Sequence, residues 1–107
     1  MNGEAPQVTD PRKRPGFVYV IRNTWTRNIK IGWTVDVMRR LDALQGSNDC
    51  LLELVGVYRG TREDELQFHR ACSQWRIRGE WFRPEGDVVR VISSAQPLGV
   101  HETGAGQ

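Results

Sequence analysis

The residue whose type and position point most clearly to chemistry is Glu65. It lies in a segment that reads as a helix, because Thr61 and Asp64 have the spacing of a capping box. The buried stripe of this helix consists of Glu65, Phe68, Cys72 and, one place short of the ideal continuation, Trp75. A carboxylate in a mostly apolar stripe costs free energy unless it is paired or binds a cation. Glu65 therefore needs a cationic partner.

Two adjacent arginines on an earlier helix have different predicted roles. Asp36 is a good N-cap and Gly46 a good C-terminal stop, so a helix is expected between them. Its buried stripe consists of Val37, Leu41 and Leu44. At about 100° per residue, Arg39 points almost opposite this stripe and into solvent. Arg40 lies on the flank of the stripe, where it can lean toward a neighbouring sheet and reach a site there.

A strong positive charge is concentrated in residues 12–40. The whole chain has 107 residues and a net charge of +2, but this stretch alone carries +7, so the remainder carries −5. Its charges are one acid, Asp36, and the bases Arg12, Lys13, Arg14, Arg22, Arg27, Lys30, Arg39 and Arg40. Such a field attracts polyanions and steers their approach, although a solvated basic face has the same composition. Charge alone therefore does not decide between a surface that binds polyanions and a solvated basic face.

The elements that must position these residues follow in the order β-β-α-β-α-β-α. The run 17–21 is apolar and rich in β-formers, which is typical of a central strand buried on both faces. Residues 29–34 alternate, with one face formed by Ile29, Ile31 and Trp33 and the other by Lys30, Gly32 and Thr34. Further strands are predicted at 51–58 and 79–82, and a closing helix at 84–92 with Pro84 in its first turn. The predicted fold class is α+β, a small three- to four-stranded mixed or antiparallel sheet flanked by helices.

Composition places these elements in one small domain. The chain is 38% hydrophobic and 26% charged, which excludes disorder throughout. No apolar run approaches the roughly 20 residues of a membrane span, and the N-terminus has no signal-peptide core. Cys50 and Cys72 have the spacing of neither a zinc site nor a disulfide framework, which favours a cytoplasmic, intracellular location. We expect a flexible basic leader at 1–15, a folded domain at 16–93 and a flexible tail at 94–107.

Four motifs in the right order resemble the GIY-YIG endonuclease superfamily. The first is GFVYVI at 16–21, in which Val18 and Tyr19 match the end of the family's first motif. The second is KIGWT at 30–34, in which Ile31 and Gly32 match the end of the second, with Arg40 eight residues later. Glu65 followed by Phe68 and His69, and then RGEWF at 78–82, look like the phage- and bacteria-encoded branch related to the meiotically up-regulated fungal domain. The resemblance spans about residues 16 to 83.

The resemblance implies hydrolysis of DNA phosphodiester bonds with one divalent cation, Mg²⁺ or Mn²⁺. Tyr19 matches the residue that contacts or activates the attacking water, Arg40 the one that stabilises the pentavalent transition state, and Glu65 the metal ligand. Phosphate cleavage needs these kinds of group, and one carboxylate with several waters suits Mg²⁺. Lys30 stands where the second motif has a tyrosine. An ordinary lysine is a poor base at neutral pH, so either Tyr19 or a perturbed Lys30 takes the proton.

Other residues of the matched motifs have more than one interpretation. Glu80 is a rival metal ligand, although a strand-end carboxylate often pairs with a neighbour such as Arg76 or Arg78. His69 either supports Glu65, donates a proton to the leaving group, or is a satisfied surface histidine. The motif residues expected to act structurally are Gly32, Gly79, Glu80 and Trp81. The helical histidine that many members carry four residues after the arginine is absent, since Leu44 occupies that place.

We therefore predict a magnesium-dependent DNA endonuclease with no membrane association. The alternative is a catalytically inactive nucleic-acid-binding module of the same fold, and a third reading is a protein-interaction domain with a basic leader. The predicted nucleic-acid contacts are Arg12, Lys13, Arg14, Arg22, Arg27 and Arg39, with Trp25 as a residue that could stack on a base. A homodimer or a separate specificity subunit would have to supply sequence recognition.

Overall fold

The computed structural model describes residues 10–96, in which five strands and three helices form. The strands are β1 (Gly16–Asn23), β2 (Ile29–Thr34), β3 (Leu52–Gly60), β4 (Arg76–Arg78) and β5 (Trp81–Phe82). The helices are α1 (Val37–Gly46), α2 (Arg62–Ala71) and α3 (Asp87–Ser94), with short 3-10 turns at Pro11–Lys13 and Ser73–Trp75. This arrangement confirms the predicted α+β class, and the order of its elements matches the prediction except for one additional strand before α3.

The sheet has the strand order β3-β1-β2-β5-β4, and every pair of neighbours is antiparallel. The prediction that β1 is central is confirmed, since it lies between β2 and β3 and residues 18–21 are buried. The register of β1 and β2 places Tyr19 opposite Gly32 and Val20 opposite Ile31. Alternation along the strands then sends Tyr19 and Val20 to opposite faces.

The predicted number of strands and the predicted strand at 79–82 were wrong. The segment 76–82 forms a hairpin of two short strands, which brings the sheet to five strands within the described residues. Gly79 has a φ of +56° and lies with Glu80 in the turn between β4 and β5. This left-handed conformation suits glycine, so the turn begins where the sequence pattern predicted the start of a strand.

Helices cover both faces of the sheet. On one face α2 and α3 pack over an apolar cluster that contains Val18, Val20, Ile29, Ile31, Cys72, Phe82, Val88 and Val91. On the other face α1 packs over a smaller cluster that contains Tyr19, Ile21, Val37, Leu52 and Val57. Leu41 and Leu44 pack against this second cluster, which confirms the predicted buried stripe of α1. None of the helices in residues 10–96 has the length and hydropathy that a membrane span requires.

The helix ends follow their capping residues. Asp36 accepts a hydrogen bond from the backbone of Arg39 at the start of α1, and both halves of the predicted capping box of Thr61 and Asp64 form in α2. The start of α3 differs from the prediction. Gly86, with a φ of +53°, precedes its first residue, so Pro84 lies in the preceding loop instead of the first turn.

Ordered structure continues beyond both ends of the predicted 16–93 domain. The 3-10 turn at Pro11–Lys13 is capped by Asp10 and contacts α2. At the other end, Gln96 and Val57 exchange two backbone hydrogen bonds of 2.8 and 2.9 Å. Residues 10–15 and 94–96 are therefore part of the folded unit. The rest of the predicted leader and tail lies outside the described residues.

Candidate active site

The candidate site is centred on Gly32, where the α1 face of the sheet carries no side chain. A Cβ atom at this position would clash with the hydroxyl of Tyr19 and would lie 2.8 Å from Oε1 of Glu80. The phenol of Tyr19 and the carboxylate of Glu80 therefore meet directly over the backbone of β2. A glycine is required here because of this close approach, and its backbone conformation is not the reason.

Arg40 approaches this point from α1. Its Nε donates a hydrogen bond of 3.5 Å to Oη of Tyr19. Burial raises the pKa of Tyr19, and the hydrogen bond from Arg40 opposes this shift by stabilising the phenolate. Arg39, its neighbour in the chain, is exposed like Arg40, but its side chain forms no hydrogen bond or ion pair among residues 10–96. The structure therefore separates the two arginines as the helical pattern predicts.

Glu65 lies on α2 with only 1% of its surface exposed. Nε of Arg62 is 2.7 Å from its Oε1, and Nε2 of His69 is 3.7 Å from its Oε2. The contact with Arg62 lacks the angles of a hydrogen bond, so Oε1 has no hydrogen-bond partner among residues 10–96. Glu65 is thus ion-paired with Arg62 through Oε1, in a geometry that is poor for a hydrogen bond.

A second carboxylate faces Glu65. Burial raises the pKa of Glu65 to about 7, and a hydrogen bond with Glu80 and repulsion from its charge act in the same direction. Arg62 and Lys30 oppose this shift but do not cancel it. Because like charges repel, a cation beside the buried Glu65 stabilises its ionised form.

Lys30 is held between an acid and an aromatic ring. Its Nζ lies 3.2 Å from Oε1 of Glu80 and 5.4 Å from the ring centre of Trp81, its partner across β2 and β5. The sequence suggested Arg76 or Arg78 as the partner of Glu80, and this is wrong because Lys30 takes that place. The pairing brings Glu80, predicted mainly as a motif residue, into the site together with Lys30.

His69 anchors α2 to the edge of the sheet. Its Nε2 lies 2.8 Å from the carbonyl oxygen of Ile31, and its Nδ1 lies 3.3 Å from a terminal nitrogen of Arg76. A carbonyl only accepts, so Nε2 carries the hydrogen and Nδ1 accepts from Arg76. The ring is buried and packs edge-on against Phe82, so the surface-histidine interpretation is wrong. The short strand β5 pairs with β2 only at residues 29 and 30. At the next residue of β2, Nε2 of His69 donates to the carbonyl oxygen of Ile31.

The predicted nucleic-acid contacts are spread over the domain. Arg22 pairs with Glu53 at 3.1 Å and lies on the face of β1 opposite to Tyr19. Arg27 and Trp25 occupy the turn between β1 and β2, where Trp25 is 77% exposed. Lys13 belongs to the 3-10 turn that contacts α2. The structure thus brings Tyr19, Lys30, Arg40 and Glu65 together but leaves Arg22 and Arg27 outside this group.

The sequence analysis missed Arg62 as a member of the site. It lies three residues before Glu65, a spacing that places two side chains next to each other on a helix. This signal was present in the sequence. Residues 10–96 contain no cluster of three or more His, Cys, Asp or Glu side chains that could hold a metal ion. The available ligands are thus the two carboxylates, which suit a hard cation that keeps most of its water.

The fold and the site define a small α+β domain in which a buried and a half-buried carboxylate lie near a tyrosine, a lysine and an arginine. The chain belongs to the T5orf172 domain family, whose model matches residues 16–95. This is a phage-derived, nuclease-associated domain of the DNA-binding type. Comparison with curated proteins and with solved structures gave no significant match.

Proposed function

We propose that this domain is a DNA endonuclease of the GIY-YIG type that hydrolyses backbone phosphodiester bonds with one divalent cation. The observation that carries the proposal is the position of Glu65. Its carboxylate is buried, Arg62 is the cation beside it at 2.7 Å, and it lies close enough to Tyr19, Lys30 and Glu80 for their charges to interact. Membership of a nuclease-associated family supports the same conclusion.

The residues present fit a magnesium or manganese ion. Glu65 supplies a buried carboxylate whose Oε1 is paired with Arg62, and Glu80 adds a second negative group beside it. Hard oxygen ligands of this kind are those that Mg²⁺ prefers. Glu65 would hold the ion, with Glu80 next to it. When bound, the ion would supply positive charge to the phosphate oxygens and to the attacking water.

The side chains around Gly32 then have distinct roles. Arg40 binds the phosphate and stabilises the charge that develops on it in the transition state. Tyr19 contacts the attacking water; in its phenolate form, which the hydrogen bond from Arg40 stabilises, it would accept the proton of that water and become the neutral phenol. We assign the proton to Tyr19 and not to Lys30, because Lys30 is already engaged by Glu80 and serves to neutralise that carboxylate. His69 acts as a positioning residue that fixes α2 and hence Glu65.

One contact favours the alternative, a catalytically inactive nucleic-acid-binding module. Arg62 lies 2.7 Å from Glu65 and offsets part of its charge, so this carboxylate has a cationic neighbour without any metal ion. In that case the basic side chains would still bind DNA in a salt-dependent way. The two functions differ in whether DNA is cut when Mg²⁺ is added.

Plasmid nicking by the purified protein separates the two functions. We expect supercoiled plasmid to be nicked with Mg²⁺ or Mn²⁺ and to stay intact with EDTA. Arg40→Ala should lower the rate on the order of a hundredfold or more, because it removes a transition-state contact. The matched control is Arg39→Ala, which removes an exposed arginine from the same helix and should retain the rate within a few-fold.

Two results would contradict the proposal. Salt-dependent DNA binding without any metal-dependent nicking would support the binding module. Equal rates for the Arg39 and Arg40 variants would show that the cutting site lies elsewhere.

A further inference from the structure

A groove of about 350 Å³ lies beside the candidate site, between the 3-10 turn at Pro11–Lys13 and the first two turns of α2. Its lining combines three guanidinium groups with apolar surface and consists of Pro11, Arg12, Arg14, Trp33, Arg62 and Leu66. Its volume is in the range of small-ligand sites. The groove therefore offers both positive charge and an apolar wall.

The groove is continuous with the candidate site through α2. Arg62 lines the groove, and its Nε also lies 2.7 Å from Oε1 of Glu65. Leu66, on the same wall, is the next residue after Glu65 in the chain. A ligand in the groove thus lies one side chain away from the buried carboxylate.

The cationic side of the groove is only partly neutralised. Arg12 is held by Asp10 through hydrogen bonds of 2.9 to 3.3 Å, and Glu63 lies close enough to affect its pKa. Arg14 is exposed and forms no ion pair within 4.0 Å in the part of the chain that the structure describes. Arg14 is therefore available to an external anion.

On this basis we propose that the groove is a subsite for one nucleotide of the DNA strand that enters the site at Glu65. Arg14 and Arg62 bind the phosphate, and the base lies against Trp33 and Leu66. Nucleotides join an anionic phosphate to an apolar, flat base, and sites for single strands pair cations with aromatic surface for this reason. This inference rests on the proposed endonuclease function and adds the path of the substrate strand.

Sharing Arg62 between the groove and Glu65 has a chemical consequence. A phosphate in the groove attracts the guanidinium that otherwise neutralises Glu65. Glu65 then loses the cation that competes with a metal ion for its carboxylate. DNA occupancy of the groove and metal binding at Glu65 therefore support each other, as linked equilibria require.

The test measures binding in EDTA, where cutting cannot occur. The probes are a fluorescent 12-nucleotide oligothymidylate and an abasic deoxyribose-phosphate strand of the same length. Arg14→Gln should weaken oligothymidylate binding about tenfold at low salt and reduce the salt slope by roughly one unit. The matched control is Arg90→Gln on α3, whose exposed arginine is not part of the groove and whose loss should change neither quantity.

The contribution of the apolar wall is measured as the preference for oligothymidylate over the abasic strand. The wild-type protein should bind oligothymidylate at least about fivefold more tightly than the abasic strand, because the base contributes to binding. Leu66→Ser should lose this preference without changing the salt slope, while thermal unfolding shows that the variant is folded. Arg14→Gln should keep the preference.

Specific outcomes overturn this inference. It fails if Arg14→Gln behaves like Arg90→Gln, if the wild-type protein binds both strands equally, or if a polyglutamate of equal charge competes as well as oligothymidylate. Such a result with plasmid nicking intact would leave the endonuclease proposal standing. The expected binding pattern without any nicking would instead support the groove and contradict the endonuclease.

Discussion

The same strands carry apolar side chains on one face of the sheet and the polar groups of the site on the other. On the face covered by α2 and α3, Val18, Val20, Ile29 and Ile31 are fully buried and pack with Phe82 and Val88. On the α1 face, the alternate positions of β1 and β2 hold Tyr19, Lys30 and Gly32. The apolar face thus fixes the backbone whose other side carries the polar groups. Along β1 and β2, residues of the apolar cluster therefore alternate with residues that face the polar groups.

The polar groups around Gly32, together with Glu65 on α2, are less favourable for stability than the apolar cluster under α2 and α3. Burial keeps the pKa of Glu65 near 7, and Glu80 adds a like charge. Replacing such a buried charge by a neutral group usually stabilises a fold. This difference indicates that the packing of the apolar cluster, and not the contacts within the site, keeps the site residues in position. The predictions below test that division.

A large effect on both activity and stability is expected from Gly32→Ala, which would place a methyl group where the polar groups meet. The new Cβ would clash with the Tyr19 hydroxyl and press on Glu80. We expect plasmid nicking to fall on the order of a hundredfold, because small displacements of reacting groups have effects of this size. The free energy of unfolding should fall by about 2 kcal/mol, measured by urea denaturation.

A second glycine supplies the control for this substitution. A Cβ at Gly46, at the end of α1, would have no atom within 4 Å. Gly46→Ala should retain the nicking rate and leave stability unchanged or raise it by up to about 1 kcal/mol. Similar loss of activity in both variants would show that Gly32 has no special role.

On the apolar face, a substitution is expected to lower stability without lowering activity. Val88 is fully buried on α3, so Val88→Ala should lower the free energy of unfolding by about 2 kcal/mol. The nicking rate per folded molecule should stay the same, because the side chain packs away from the polar groups. Val89 on the same helix is 46% exposed, and Val89→Ala should change stability by less than about 0.5 kcal/mol. A lower rate for folded Val88→Ala would break the division between the faces.

The last expected effect is gradual: the free energy of unfolding should depend on pH. The pKa of Glu65 is about 7 in the folded protein and near 4.5 in the unfolded chain. Between these values the folded protein binds more protons, so the free energy of unfolding should fall as pH rises from 4.5 to 7, by roughly 2 kcal/mol. Glu65→Gln should remove this slope when unfolding is measured in EDTA. Parallel curves for both proteins would mean that Glu65 ionises normally.

Features set by neighbouring residues could be predicted from the sequence. The capping box of Thr61 and Asp64 and the apolar spacing of α2 were sufficient to place Glu65 on a buried stripe. The helical angle between Arg39 and Arg40 was sufficient to separate their directions. These predictions succeeded because helix geometry relates residues a few positions apart.

Features that depend on distant contacts could not be predicted in this way. The pairing of Lys30 with Glu80 joins residues fifty positions apart and follows from a hairpin turn at Gly79. Strand β4 has only three residues and is exposed along its whole length, so its polar-apolar-polar pattern is too short to predict a strand. His69 became a buried anchor because β5 is too short to cover Ile31, a property of the sheet edge and not of the helix.

The most direct test of the central claim compares two glutamates two residues apart. Glu65→Gln keeps the shape of the side chain but removes the charge that would hold the metal, so Mg²⁺-dependent plasmid nicking should fall at least on the order of a thousandfold. DNA binding in EDTA should be retained. The control, Glu63→Gln, changes the same kind of residue in the first turn of α2 and should nick at nearly the wild-type rate. Equal nicking by the two variants would contradict the assignment of Glu65 and make Glu80 the next carboxylate to replace.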